Sequence, residues 1–541
     1  MVEGVLILGI YLNPGNAGFK RTLRSQIYVD KTGLLEYTNS VLESEDGYIC
    51  VSRPRRFGKS ITAEMLVSYY GKDCDSKEMF QNLNIAKAPD FEEHLNRYDV
   101  IHVDMNDFRH RRNVKTGEMM TAEESVIEFQ TEVIRELKEK FPDSVTEQDV
   151  NLPVVLARIN NDTGAMFVII IDEWDTIFRE DKLDVKAQES YINLLRGLFK
   201  DATSKRFLKL AYITGILPVK KYGTQSALNN FKEFTMINPG KLAEYVGFTE
   251  EEVQNLCEEY NMDFAETKRW YDGYSFRKVK HIYSPNSVVN AMLSEEFDTY
   301  WTRTETYESL KNYICMNFDG LKDAVVQMLA GGRCKIKSGR FQNDMTTFKS
   351  KDDVLTLLIH LGYLAYDIDA KEVYIPNEEV RDEFNNAIAD TGWTYVINAI
   401  EASDRLLKAT WQMDCEAVAN AIDKVHMENT SILQYNDENA LSCVISLAYY
   451  NAINEYTLIR EMPTGKGYAD VVFLPRLHSN KPAMVVELKY NQSVDMAIHQ
   501  IRDKQYIKAL EEYKGRLLLV AINYDKNTKE HQCRIEEIVL E

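Results

Sequence analysis

The triplet Gly58-Lys59-Ser60 closes the segment Arg53-Pro54-Arg55-Arg56-Phe57-Gly58-Lys59-Ser60, and each of the three suits the binding of a nucleoside triphosphate. Gly58 lets backbone N–H groups curl around a phosphate. Lys59 reaches the β- and γ-phosphates, and the Ser60 hydroxyl is a Mg2+ ligand at the positive end of a helix. Arg56 adds a cation inside the loop and is counted with the nucleotide-binding residues. Arg53 stands where the G-x-x-x-x-G-K-S pattern has its first glycine. It is less free to take positive φ, and its charge is expected near the phosphates. Further on, MFVIIIDEWD (166–175) runs apolar into Asp172-Glu173. Asp172 suits holding Mg2+ through water, and Glu173 suits orienting or deprotonating an attacking water. Acidic residues also simply end buried strands, but here they follow a Gly-Lys-Ser loop. Thr214 ends the next apolar run, LKLAYITGI (208–216). It reads equally as a γ-phosphate contact or as an ordinary strand-end threonine.

A second set of chemical residues lies near the C-terminus. Asp470 sits in GYADVVFLP, and Glu487-Leu488-Lys489 ends PAMVVELK, with a turn at His478-Ser479-Asn480 between them. Alternation along a strand places Glu487 and Lys489 on one face. Two carboxylates with a lysine suit metal-assisted phosphodiester hydrolysis. The acids hold Mg2+, and the lysine supports the nucleophile or the developing charge. Glu438 is a candidate third carboxylate, and Gln500 and Tyr506 are placed to orient a nucleic-acid backbone.

The elements that must position these residues follow from the hydrophobic pattern. YICVSRPRRFGKSITAEMLVSYY (48–70) reads strand, basic loop, helix, with Ile61, Met65, Leu66 and Tyr69 at helical spacing. YDVIHVDMND (98–107) is another strand ending in acids. A long helix over 122–140 opens on Thr121 with Glu124 three residues on, a capping box. The unbroken apolar run at 166–171 suits a strand buried on both faces of a parallel sheet. Strands at 48–51, 98–107, 166–171 and 208–216 alternate with helices, which predicts an α/β doubly wound domain over about 20–240.

Residues 241–310 read as mostly helical, with a turn in WYDGYSF (270–276). Asp352 to Leu361 is a helix ending at Gly362, and a hairpin around Asp367 to Lys371 follows, the tail of a winged-helix unit. The remainder predicts helices, then strands at 456–460, 469–474 and 483–489, a helix at 496–513 and a strand at 516–523. The expected division is 1–240, 241–395 and 396–541.

Composition narrows the classes. The 541 residues allow several cores. A net charge of −20 argues against a surface coated in cations for nucleic acid but permits a local basic groove. The cluster Arg109, Arg111, Arg112 and Lys115 is expected to be a solvated loop. Eight cysteines form no C-x-x-C pair, so no structural zinc is expected. No signal peptide and no membrane-spanning run is apparent, and reduced thiols point to a cytoplasmic setting.

YVDKT (28–32), SRPRRFGKS (52–60), IIIDEWD (169–175) and the GYADVVFLP…VVELKY pair (467–490), with FTEEEV (248–253) and WYDGY (270–274), carry a resemblance over almost the whole chain. The chain resembles bacterial AAA-ATPase-like proteins with a C-terminal PD-(D/E)XK nuclease-superfamily domain. The resemblance implies an α/β P-loop NTPase domain, a middle helical and winged-helix-like region, and a small α/β restriction-endonuclease-like domain. It sets the P-loop on Gly58, Lys59 and Ser60 and the Walker B acids on Asp172 and Glu173, with Asp175 completing D-E-x-D. The nuclease-like set falls on Glu438, Asp470, Glu487 and Lys489, with Gln500 on the following helix. Tyr468 departs from the pattern, because related sequences often have arginine two residues before this Asp. ATP, Mg2+ and nucleic acid are the implied ligands, and a homo-oligomer is an implied assembly. Two readings follow: an ATPase controlling a nuclease, or an ATP-set switch whose C-terminal domain binds without cutting.

Overall fold

The computed structural model describes residues 9–540 except 114–115, 220, 223–224, 227, 302–306, 330, 344, 390–393, 430–444, 446–447, 451, 464–467, 477–480, 504–512 and 514. The chain forms two compact units, residues 1–306 with 335–382, and 307–334 with 383–541.

The first unit is built on five strands: β1 (Tyr48–Ser52), β2 (Asp99–Asp104), β3 (Phe167–Asp172), β4 (Leu208–Gly215) and β5 (Lys232–Phe234). Their order is β2-β3-β4-β1-β5, every pair parallel. The runs YICVS and FVIIID are buried at every position. Both faces are therefore covered, as continuous apolar strands require. Helices α1 (Lys59–Tyr70), α2 (Ala122–Lys140), α3 (Leu152–Thr163) and α4 (Val185–Phe199) do the covering. Ile101, Val103, Ile169, Ile171 and Ile213 share one core with Phe129, Val155 and Leu195 of α2 to α4. The alternate strand residues Val168, Ile170 and Tyr212 are just as buried and lie on the other face, and α1 packs against β2, β3 and β4. The doubly wound arrangement is thus present.

α2 begins where its capping box requires. Thr121 accepts from Glu124 N, and Glu124 Oε2 accepts from Thr121 N at 2.8 Å. Strand β5 is three residues long and escaped the sequence reading, because Lys-Glu-Phe is too short to show a period.

Helices Glu250–Tyr260, Phe264–Tyr271 and Pro285–Ser294 fill the region after 240. α5 (Lys351–Leu361) then stops at Gly362, and β6 (Ala365–Asp367) pairs antiparallel with β7 (Glu372–Tyr374). The expected helix and hairpin are both there. Within the basic cluster Arg109 and Arg111 are not simply solvated, and Lys115 lies outside the described residues. Arg109 makes a two-pronged pair with Asp181, with Nε–Oδ2 at 2.7 Å, and the Arg111 guanidinium lies 4.3 Å from the Phe108 ring centre. A nearby acid and an aromatic face give these cations partners that sequence spacing does not reveal.

The second unit carries a mixed sheet of β8 (Tyr456–Pro463), β9 (Tyr468–Pro475), β10 (Ala483–Tyr490), β11 (Gly515–Asp525) and β12 (Glu530–Leu540), in that order. Only the β10–β11 pair is parallel. It is joined through α6 (Val494–Asp503), as a parallel connection demands. Ala497, Ile498 and Ile501 of α6 pack on Ala483, Val485, Leu517 and Leu519. The helix expected over 496–513 is described to Asp503; residues 504–512 and the turn at 478–480 lie outside the described residues, and Tyr513 is not helical. β12 was not foreseen. As an edge strand carrying Glu530, Arg534, Glu536 and Glu537, it hides the apolar alternation that marks a half-buried strand. Among the described residues, no helix is long and apolar enough to cross a membrane.

Candidate functional site

β1 delivers the chain to the loop at Ser52, and α1 starts at Lys59. Between them Gly58 adopts φ 89°, ψ 16°, a conformation that a Cβ disfavours. The positive φ at the other end of the loop falls on Arg56 (65°) and not on Arg53. Arg53 therefore fills the missing-glycine position without backbone strain. Its side chain corrects a second expectation, for it does not bring charge to the phosphates. It is fully buried, donates from Nη1 to the carbonyls of Ser52 and Phe234 at 2.9 Å, and lies over the Phe276 ring. Burial lowers its pKa to about 10. Arg53 thus braces β1 and β5 from within. Arg56 is exposed and donates to Asn286 Oδ1 at 3.1 Å.

Strand order explains how the rest converges. β4 lies between β1 and β3, with Val51 level with Thr214 and Ile171 level with Ile213. Asp172 at the end of β3 is buried and accepts from Glu173 N at 2.8 Å. The Ser60 hydroxyl lies close enough to favour its charge, which brings together the two residues expected to flank Mg2+. Burial nonetheless pushes Asp172 up to about 6, with Ser60 opposing and Glu173 adding to the rise. Asp104, level with Asp172 across the β2–β3 pair, is pushed up to about 7 by burial and by Asp172 itself. Sequence reading noted acids at the end of β2 but assigned Asp104 no role; only the register makes it a neighbour of Asp172.

Glu173 takes φ 48°. Its Oε1 lies 3.6 Å from Lys59 Nζ, and its Oε2 lies 2.5 Å from Arg179 Nη2. Burial opposes its charge, but Lys59, Arg179 and Arg55 outweigh it and hold the carboxyl below its ordinary range. Lys59 also donates to the Pro54 carbonyl at 3.1 Å. Thr214 is fully buried, and its Oγ1 has no hydrogen-bond partner among the described residues. Its carbonyl accepts from Trp174 N at 3.0 Å, which fixes the Asp172–Asp175 segment against β4.

A cavity of about 460 Å3 opens beside Gly58, Lys59 and Ser60 and is walled by Ile27, Phe248 and Val289. The YVDKT segment lines it through an internal latch. Lys31 Nζ reaches Glu252 Oε2 at 2.5 Å, and Glu252 caps the helix Glu250–Tyr260. The volume lies within the range of small-molecule sites.

In the second unit Glu487 is buried on β10, and Lys489 Nζ donates to its Oε1 at 3.0 Å. Both lie on the β10 face shared by Ala483 and Val485, against which α6 packs. Position 470 falls on β9. The register pairs Val471 with Val486 and Val472 with Val485. Gln500 lies on α6, whereas Glu438 and Tyr506 fall outside the described residues. Among the described residues, no group of three or more His, Cys, Asp or Glu is arranged to hold a metal.

A curated relative from Azotobacter chroococcum mcd 1, described as an uncharacterized protein in the vnfD 5' region, is 24% identical over 288 residues. That match spans 52% of this chain and 51% of the relative, so the chain covers about half of that protein's length. Among solved structures, the Aeropyrum pernix ORC2 protein in its ADPNP–ADP complexes aligns at TM-score 0.31 and 11% identity, over 68% of this chain and 98% of that one. Residues 17–224 match the family model of the predicted AAA-ATPases and residues 436–533 that of the PD-(D/E)XK nuclease superfamily, the architecture that the motifs led us to expect.

Proposed function

We propose that this chain hydrolyses ATP at the P-loop and that its C-terminal sheet carries a Mg2+-dependent site that cleaves nucleic-acid phosphodiesters. The observation that carries the first half is the ion pair of Glu173 with Lys59, beside the buried Asp172 at the end of β3. Backbone N–H groups after Gly58 cradle the phosphates, and Lys59 exchanges the Pro54 carbonyl for phosphate oxygens. Glu173 accepts a proton as water oxygen bonds to the γ-phosphorus and the bond from phosphorus to the β–γ bridging oxygen breaks. Ser60 and Asp172 here, and Asp470 and Glu487 in the second unit, would hold Mg2+, which would neutralise phosphate charge. At the second site Lys489 stabilises the developing oxyanion, and Glu438 is the further acid in the proposed set. Residues 1–240, 241–395 and 396–541 serve as motor, coupling region and nuclease part.

A second reading, an ATP-set switch whose C-terminal sheet binds without cutting, draws on Tyr468 standing where related sequences often have arginine. The deciding experiment incubates single- and double-stranded DNA and RNA with Mg2+ or Mn2+, with and without ATP, using wild type and Glu487→Ala. Glu487-dependent cutting supports the nuclease. Nucleotide binding without any cutting moves the assignment to the switch.

A further inference from the structure

The D-E-x-D motif leaves its last acid, Asp175, without a part in the chemistry above. Asp175 is fully buried and accepts from Ile216 N at 3.1 Å and Leu217 N at 2.7 Å through Oδ2, just past the end of β4. The same oxygen lies 3.1 Å from Arg179 Nε. Arg179, itself buried, turns its Nη2 to Glu173 Oε2 at 2.5 Å and to Thr176 Oγ1 at 3.1 Å. A continuous chain of contacts therefore runs from β4 through Asp175 and Arg179 to the carboxylate beside Lys59.

We propose that Arg179 is a positioning residue for hydrolysis at the P-loop, tying the Glu173 carboxylate to Asp175 and so to the frame of β4. The inference rests on the ATP-hydrolysing reading. Its physical basis is that the two oxygens of Glu173 meet two different cations. Lys59 must leave for the phosphates when nucleotide binds. Arg179 faces no such demand, and its planar fork spans both acids at once. It keeps Glu173 pointing along one direction while Lys59 moves.

The test measures ATP hydrolysis at fixed pH for wild type, Lys59→Ala, Arg179→Gln and Arg179→Lys. We expect Arg179→Gln to lower kcat per nucleotide-binding site at least about tenfold with KM for ATP within about twofold. Arg179→Lys keeps the charge and restores kcat in part. A purely structural role lowers the active fraction and leaves kcat per binding site at the wild-type value, and that result overturns the proposal. If wild type is no more active than Lys59→Ala, the hydrolytic reading fails by itself. The Arg179 assignment is then judged by the 13C-carboxyl signal of Glu173 at fixed pH, identified by its loss in Glu173→Gln. A signal of unchanged shift and width in wild type and Arg179→Gln refutes the assignment. Should Arg179→Gln not fold, Arg179→Lys is read against wild type on the same two measurements.

Discussion

Lys59 donates to the Pro54 carbonyl and lies within ion-pair range of Glu173, so nucleotide binding replaces contacts that already exist in the protein. Lys59→Ala should leave the fold intact and cut ATP turnover about 100-fold or more. Turnover retained within a few-fold would remove Lys59 from the site. Asp104 offers a test through stability. Its folded pKa, about 7, lies above the ordinary aspartate value. The folded state therefore holds a proton that the unfolded state gives up, and this group's effect on stability worsens as pH rises from about 4 to 7. Asp104→Asn should raise Tm at pH 8 more than at pH 5. Equal effects at both pH values would mean that neither burial nor Asp172 raises the Asp104 pKa.

Among the elements, the P-loop is held from outside the sheet. The Trp301 indole N–H donates to the Arg55 carbonyl at 3.2 Å. Gly362, at φ 91°, leaves no room for a Cβ, which would lie 2.8 Å from Pro54 Cβ. Glu379, pushed up to about 7 by burial, accepts from Tyr300 N and Trp301 N at 2.6 Å and holds that tryptophan segment. The corner between α5 and β6 thus backs the nucleotide loop. Gly362→Ala combines a left-handed backbone with a clash and should cost about 2 kcal/mol. Calorimetry checks that cost. Because Pro54 is what must move, ATP affinity should fall as well; unchanged affinity alongside a lowered Tm would separate this corner from the loop.

At the scale of the whole molecule, each unit has its own sheet and core, and the two proposed chemistries use residues of different units. Glu487→Ala should abolish cleavage while ATP hydrolysis stays within about twofold. A parallel loss of hydrolysis would show that one site depends on the other. The same substitution leaves Lys489 buried without that carboxylate, so a stability cost of about 3 kcal/mol is expected from denaturant unfolding of the second unit.

Much of this was legible in the chain itself. Gly58-Lys59-Ser60, the run into Asp172-Glu173, the capping box of α2 and the Glu487/Lys489 alternation are local signals, set by spacing along one strand or helix. What needed tertiary structure was everything that depends on which strands become neighbours. Parallel order alone brings Asp104 level with Asp172, and chain reversal after β3 brings Arg179 back to Glu173. Burial alone turns Arg53 from a phosphate ligand into a brace beneath β1. Spacing reports which face a residue takes on its own element, whereas a charge acquires its role from the opposite charge, aromatic ring or carbonyl that a distant segment sets beside it.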